Sequence, residues 1–180
     1  MTEQEQFLRG AMERQGGTVY RLALCRLQSR EDAEDVYQDV FLRLLSQGGW
    51  DWDEEHLKAW LIRATLNRCA DLHRFWLRRP VLALEELPEL AEADRTAEAS
   101  ELWEAVARLP EKLRTAVHLY YAEGCRAEEI ARLTGVPAAT VRTRLRRARI
   151  KLRDLLGGMD DEREQIPDLD GETLRACEVE

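Results

Sequence analysis

Apolar residues recur every three to four positions along most of this 180-residue chain, and few prolines or glycines interrupt them. This spacing is typical of amphipathic α-helices, and no stretch shows the alternation of a strand-rich protein. In residues 31–45 the apolar face consists of Ala33, Val36, Tyr37, Val40, Phe41 and Leu44. We therefore predict an all-α fold.

Breaks in the pattern divide the chain into four parts. Residues 1–79 form one predicted helical domain, which we call the first module; the second module is the domain of residues 100–156. Residues 80–99, with two prolines and an acidic excess, form a flexible linker between them. Residues 100–156 form a second small helical domain, in which we expect Ser100 to cap the first helix, Pro110 to open the next and Gly124 to close it. Residues 157–180 form an acidic, proline-broken tail that we expect to be mobile or to become ordered only on a partner.

Residues 126–153 have the spacing of a helix-turn-helix. Gly135 is suited to a turn with positive φ, and Pro137 to the first position of the following helix. The buried stripe of that second helix is predicted to contain Val141, Leu145, Ala148 and Leu152.

The other side of the second helix is basic, with seven basic residues and no acid from Arg142 to Arg153. Guanidinium groups on a helix can clamp phosphates and reach guanine edges in the major groove. We interpret this stripe as a surface that binds duplex DNA, although a solvated basic helix would show the same pattern. The exposed stripe contains Arg142, Arg146, Arg149 and Arg153, with Thr143 and Arg147 beside it.

The net charge of −8 arises largely from the tail, which has nine acids and two arginines after Leu156. The rest of the chain is nearly neutral, which argues against avid nonspecific DNA binding but allows a local basic face. No apolar run approaches the roughly 20 residues that span a bilayer, and the polar N-terminus is unlike a signal peptide. We expect a cytoplasmic protein with reduced thiols and no membrane insertion.

Two further polar stripes lie on predicted helices of the first domain. One contains Asp35, Gln38, Asp39 and Leu42, and a leucine ringed by polar groups indicates a protein-docking surface or, alternatively, an ordinary surface helix. The other lies on the predicted helix from Leu57 to Leu77. An aromatic side chain among polar ones can stack on an unpaired base while its neighbours hold the nucleic-acid backbone. Alternatively, this stripe is an ordinary solvated helix face. Its residues are Trp60, Arg63, Asn67, Asp71 and Arg74.

Candidate chemistry is otherwise sparse. The predicted loop from Ser46 to His56 contains Trp50 and Trp52, which either plug the bundle or contact DNA. Cys69 and His73 are four residues apart, but no second pair is spaced to complete a metal site. We find no nucleophile–base pair or phosphate-binding loop, and therefore expect no metal, no cofactor and no enzymatic activity.

Together these modules resemble bacterial RNA polymerase sigma factors of the extracytoplasmic-function (ECF) group, which keep regions two and four. The resemblance covers roughly residues 7–156 and implies that Asp35, Gln38 and Asp39 contact the β′ clamp of polymerase. It implies that Trp60, Asn67 and Asp71 belong to the promoter-melting helix for the minus-ten element. It also implies that the helix-turn-helix binds the minus-35 element, with Arg142, Thr143, Arg146 and Arg147 in contact positions and Arg149 facing the backbone.

The resemblance implies a protein that directs core RNA polymerase to promoter DNA. Its implied partners are the polymerase β′ clamp and β flap, promoter DNA and an anti-sigma factor. Three alternatives remain from the residues alone: a stand-alone helix-turn-helix regulator, an interaction protein without promoter contact, and an enzyme acting on nucleic acid.

Overall fold

The structure is a computed structural model that describes residues 2–48, 50–78 and 97–157, with side chains from residue 101 onward in the last range. Most of the predicted linker, the tail beyond Gly157 and Cys177 lie outside the described residues. Within them the protein is all-α, as predicted. The helices are α1 (Glu3–Leu27), α2 (Arg30–Gln47), α3 (Glu54–Leu77), α4 (Ala97–Ala107), α5 (Glu111–Val117), a π-helical turn (His118–Ala122), α6 (Ala127–Thr134) and α7 (Ala138–Leu155).

Polar side chains fix where the first three helices begin. Thr2 and Glu5 form a reciprocal capping box at α1, and Ser29 accepts a hydrogen bond from the backbone N–H of Asp32. Asp53 caps α3 by accepting from the N–H of His56 at 2.7 Å, so α3 begins three residues before the predicted start at Leu57. The loop between α2 and α3 is correspondingly shorter than predicted.

The predicted boundaries in the second module need three corrections. Ser100 lies inside α4 and does not cap it, because the alanine-rich segment before it continues the helix to Ala97. Gly124 does not close α5 directly, because α5 passes into the π-helical turn before Gly124 adopts a φ of +67°. Pro137 is the N-cap of α7, one position before the predicted one.

Two hydrophobic clusters hold the molecule together. The first is formed by α1, α2 and α3, with Val36, Leu44 and Leu61 fully buried at its centre. The second is formed by α5, the π-helical turn, α6 and α7, and it also contains Leu22 of α1 and Ile62 and Leu66 of α3. The two predicted modules therefore share a core, which the sequence pattern did not predict.

A buried carboxylate lies where the two modules meet. The Glu123 side chain is 3% exposed, and its oxygens lie 3.0 Å from the Thr18 hydroxyl, 3.4 Å from Arg21 Nη2 and 3.3 Å from His118 Nε2. The backbone carbonyl of Glu123 accepts from Lys58 Nζ at 3.1 Å. Burial alone would raise the pKa of Glu123, but His118, Arg21 and Thr18 together lower it to about 2.

We predict that the carboxylate of Glu123 makes folding pH-dependent below pH 5. A lowered pKa contributes stability that is present above the ordinary value of 4.5 and is lost as the pH falls towards 2. Between pH 5 and pH 3 the wild type should lose about 1–2 kcal/mol more free energy of unfolding than Glu123→Gln. Denaturant titrations of both proteins measure this difference, and parallel pH profiles would contradict the prediction.

Candidate nucleic-acid and protein interfaces

The turn between α6 and α7 has helix-turn-helix geometry. Gly135 ends α6 with a φ of +72°, and its N–H donates to the carbonyl of Ala131 at 2.9 Å. Val141, Leu145 and Ala148 of α7 are buried in the second cluster, as the helical spacing predicted. The opposite face of α7 is consequently directed outward.

The basic stripe of α7 lies on that outer face. Arg142, Thr143, Arg146 and Arg147 are exposed, whereas Arg149 is half-buried. Arg142 forms an ion pair with Glu128 of α6, and Arg149 Nε donates to the hydroxyl of Tyr121 at 3.0 Å. The first helix of the motif and the π-helical turn thus orient two of the five predicted contact residues.

The polar stripe of α3 is brought together along one helix face. Arg63, Asn67, Asp71 and Arg74 are exposed, and Asp71 and Arg74 form an ion pair one turn apart. Trp60 differs from them because it is half-buried against the first cluster, with its ring 5.7 Å from that of Trp52.

The two loop tryptophans pack against other aromatic rings. Trp52 stacks on His56 with the ring centroids 4.8 Å apart, and Trp50 meets Phe7 edge-on at 5.2 Å. Both rings are half-buried, which agrees with the interpretation that they plug the bundle. Trp52 thus holds the loop close to the N-terminal half of α3, whereas Trp50 holds it close to the start of α1.

The stripe on α2 is largely open. Asp35 and Gln38 are exposed, and 63% of Leu42 is accessible, which is unusual for a leucine ringed by polar groups. Asp39 is the exception, because its Oδ2 accepts from Arg68 Nε of α3 at 2.6 Å. Asp39 therefore ties α2 to α3 as well as lying on the predicted docking stripe.

The thiols and the metal-binding residues offer no further site among the described residues. Burial raises the pKa of Cys25 to about 11, of Cys69 to about 12 and of Cys125 to about 11, so these thiols stay protonated at neutral pH. No group of three metal-ligating side chains occurs in the described part of the chain. No helix described there is long and apolar enough to cross a membrane.

Comparison with known proteins decides the family. Residues 11–78 match the family model of Sigma-70 region 2, and residues 99–152 match that of Sigma-70, region 4. Over 142 residues the chain is 34% identical to the ECF RNA polymerase sigma factor SigM of Mycobacterium tuberculosis, covering 77% of this chain and 71% of the relative. The chain belongs to the ECF RNA polymerase sigma factors.

A second sequence relative agrees with this assignment, and two solved structures share the fold. RNA polymerase sigma factor SigV of Bacillus subtilis is 30% identical over 130 residues, covering 72% of this chain and 78% of SigV. The fold is similar to that of the sigma factor RpoE in complex with the anti-sigma factor NepR from Bartonella quintana, with a TM-score of 0.64, 22% identity, and 84% and 95% of the two chains covered. CnrH in complex with the cytosolic domain of CnrY gives a TM-score of 0.57 at 24% identity, covering 88% of this chain and 97% of that one.

As an ECF sigma factor, the protein directs promoter-specific transcription initiation. The function predicted from the sequence is confirmed, and it is favoured over a stand-alone helix-turn-helix regulator. The family consists of sigma factors, which are not enzymes. Sequence reasoning missed Glu128, Arg68 and Tyr121, whose contacts join different helices and leave no periodic signal.

We predict that Gly135→Ala destabilises the second module. A side chain in the left-handed region costs about 1–2 kcal/mol, and the φ of +72° places Gly135 there. Gly10→Ala is the matched control, because Gly10 lies within α1 and an added Cβ meets only the flexible end of Arg14. Gly10→Ala should stabilise α1 by about 0.5–1 kcal/mol, because alanine loses less backbone entropy in a helix than glycine does. Thermal unfolding of both variants measures the two changes, and equal shifts would contradict the backbone argument.

Proposed function

We propose that the α2 stripe of this sigma factor docks on core RNA polymerase. The observation that supports it most directly is Leu42, which is highly exposed beside Asp35 and Gln38 on a helix whose opposite face is buried. Apolar side chains with polar neighbours are typical of protein interfaces. In this proposal the β′ clamp covers the stripe, and Asp39 contributes while it also bonds to Arg68.

Two other surfaces of the protein contact promoter DNA. The α3 face binds the unpaired minus-ten segment through Trp60, Arg63, Asn67, Asp71 and Arg74, and the half-buried Trp60 offers part of its ring for stacking. Such contacts offset the few kcal/mol that extruding a base costs.

The basic stripe of α7 binds the minus-35 element as duplex DNA. The outward orientation and the positive charge of this helix face support the proposal. Its residues are Arg142, Thr143, Arg146, Arg147 and Arg149.

The division of labour follows the predicted domains. Residues 1–79 carry the polymerase and minus-ten contacts, residues 100–156 carry the minus-35 contacts, and the acidic segment 80–99 joins them. The β flap of polymerase is the proposed partner of the second domain. The structures of RpoE with NepR and of CnrH with CnrY motivate the further proposal that an anti-sigma factor binds this chain too. The protein acts in the cytoplasm without catalytic activity or cofactors of its own.

We predict that Asp35→Lys and Leu42→Ala each weaken binding to core RNA polymerase. Each variant removes a contact worth about 1–2 kcal/mol, which corresponds to a 5- to 30-fold loss of affinity. The fold should survive because both side chains are exposed, and circular dichroism checks this. Glu13→Lys, which changes an exposed carboxylate of α1 in the same way, should bind normally. Unchanged affinity of Asp35→Lys and Leu42→Ala would refute the docking surface.

We predict that Arg142→Ala lowers discrimination of the minus-35 element by about 1–3 kcal/mol, because a bidentate guanidinium–guanine contact is lost. The measurement compares affinity of the polymerase holoenzyme for the preferred and a scrambled minus-35 sequence. Arg153→Ala, near the other end of α7, is the control and should weaken both affinities alike. Equal losses on both sequences for Arg142→Ala would reassign Arg142 to phosphate binding.

A further inference from the structure

The outer face of α7 carries more positive charge than the described part of the protein neutralises. Seven basic residues occur from Arg142 to Arg153, and among the described residues only Arg142 has a carboxylate partner, which is Glu128. Arg149 donates to the neutral hydroxyl of Tyr121, so its charge is not paired there. Most of the basic stripe can therefore bind an anionic ligand without breaking an ion pair.

Basic side chains between the two modules differ from those of α7. Arg26 Nη2 lies 2.7 Å from Glu111 Oε1, and Arg114 donates to the backbone carbonyls of Cys25 and Arg26. These charges are used inside the protein, whereas those of the α7 stripe are available to a ligand.

An exposed isoleucine lies within the basic stripe. Ile150 is 49% exposed, and its neighbours one turn away along α7 are Arg146, Arg147 and Arg153. A phosphate group offers nothing to an aliphatic side chain. A peptide with both carboxylates and apolar residues would pair with the guanidinium groups and cover Ile150 at the same time. The surface therefore fits an acidic, partly apolar peptide segment.

The chain contains such a segment directly after α7. The acidic tail has nine acids and two arginines, a net charge of −7, and its first residue lies two positions after the end of α7 at Leu155. Its carboxylates include two groups, around the apolar residues Ile166 and Leu169. The first group is Asp160, Asp161, Glu162 and Glu164, and the second is Asp168, Asp170 and Glu172.

The tail is long enough to reach the whole stripe. Arg142 lies fifteen positions before Gly157, which is about 22 Å of helix at 1.5 Å per residue. An extended chain covers up to about 3.3–3.6 Å per residue, so the eleven residues from Gly157 to Asp168 can span roughly 36 Å. A segment attached to the chain that carries its binding site also binds at a high effective concentration.

We propose that the acidic tail of this chain lies along the basic stripe of α7 and competes with DNA for it. Tail carboxylates pair with the guanidinium groups, and the apolar residues of the tail cover Ile150. Duplex DNA offers phosphates to the same groups, so it must displace the tail, and its affinity is lowered by the fraction of molecules in which the stripe is covered. This inference rests on the proposed function, because it takes duplex DNA as the ligand of α7.

Zero-length cross-linking tests the contact without DNA or polymerase. Arg146→Lys keeps the charge of the full chain and supplies an amine, which a carbodiimide joins to a carboxylate in contact with it. We expect mass spectrometry to find position 146 joined to carboxylates of the tail within one monomer. Arg9→Lys, which places an amine at an exposed position of α1, is the control and should give no bond to the tail.

The affinity of the full chain for DNA tests the competition. The probe is a fluorescent duplex of mixed sequence at low salt, and binding is measured by anisotropy. One variant removes four charges of the tail: Asp160→Asn, Asp161→Asn, Glu162→Gln and Glu164→Gln. The matched control removes four charges of the linker: Glu85→Gln, Glu86→Gln, Glu89→Gln and Glu92→Gln.

Both variants change the net charge from −8 to −4, so a general electrostatic effect raises the affinity equally. We expect the tail variant to bind the duplex about 3- to 30-fold more tightly than the wild type, because several exposed ion pairs are lost. The linker variant should stay within about twofold, and the difference between the two variants should shrink as salt is added.

Ile150→Ala distinguishes the tail from DNA as the partner of the isoleucine. If the tail covers Ile150, the variant weakens the tail and binds the duplex about 2- to 5-fold more tightly. A contact of Ile150 with DNA, such as with a thymine methyl group, would instead make binding weaker. Leu155→Ala is the control, because Leu155 is exposed on another side of α7 and should leave the affinity unchanged. Circular dichroism checks the helices of each variant.

Several results would overturn the inference. The absence of a bond between position 146 and the tail would exclude the contact. A bond to residues 80–99 would assign the stripe to the linker, and a bond between two chains would assign it to a second copy. Equal affinities of the tail and linker variants would exclude competition. If α7 proved not to bind DNA, the proposed function and the competition would fail, whereas the cross-link would still report on the tail.

Discussion

The structure depends on burying Leu22, Ile62 and Leu66 against the second module. These side chains belong to helices of the first module, yet they are 0–7% exposed and belong to the second cluster, where α1 contacts α5 and the π-helical turn and α3 contacts α6. Removing a large aliphatic side chain from water contributes about 1.5–3 kcal/mol, so the three together match a large part of the net stability of a small domain. The polar contacts at Arg26, Arg114 and Glu123 follow from this burial, since charged groups at the edge of an apolar contact need partners.

Individual helices and the helix-turn-helix were predictable because local rules specify them. The turn at Gly135 and the buried stripe of Val141, Leu145 and Ala148 required only the spacing of residues along one helix. The all-α fold and the family followed from such local patterns in the correct order. Ser100 shows the limit of local rules, because a good capping residue also fits inside a helix when alanines precede it.

Contacts between side chains of different helices were not predictable. Glu128 and Arg142 meet only because α6 and α7 cross, and Arg114 reaches α1 across a separation of almost ninety residues. Leu22 and Ile62 have the same apolar character whether they face their own bundle or another module, so periodicity cannot distinguish these cases. The stripes on α2, α3 and α7 could be proposed as binding surfaces, but not the arrangement of one surface relative to another.

The hydrogen bond between Asp39 and Arg68 has a mechanical consequence for the first module. It joins the outer faces of α2 and α3 above a core that already fixes them through Val40, Phe41 and Leu61. The helix proposed to hold the polymerase and the helix proposed to hold the separated strand therefore belong to one packed unit. A partner that moves α2 must therefore either move α3 with it or break the bond between Asp39 and Arg68.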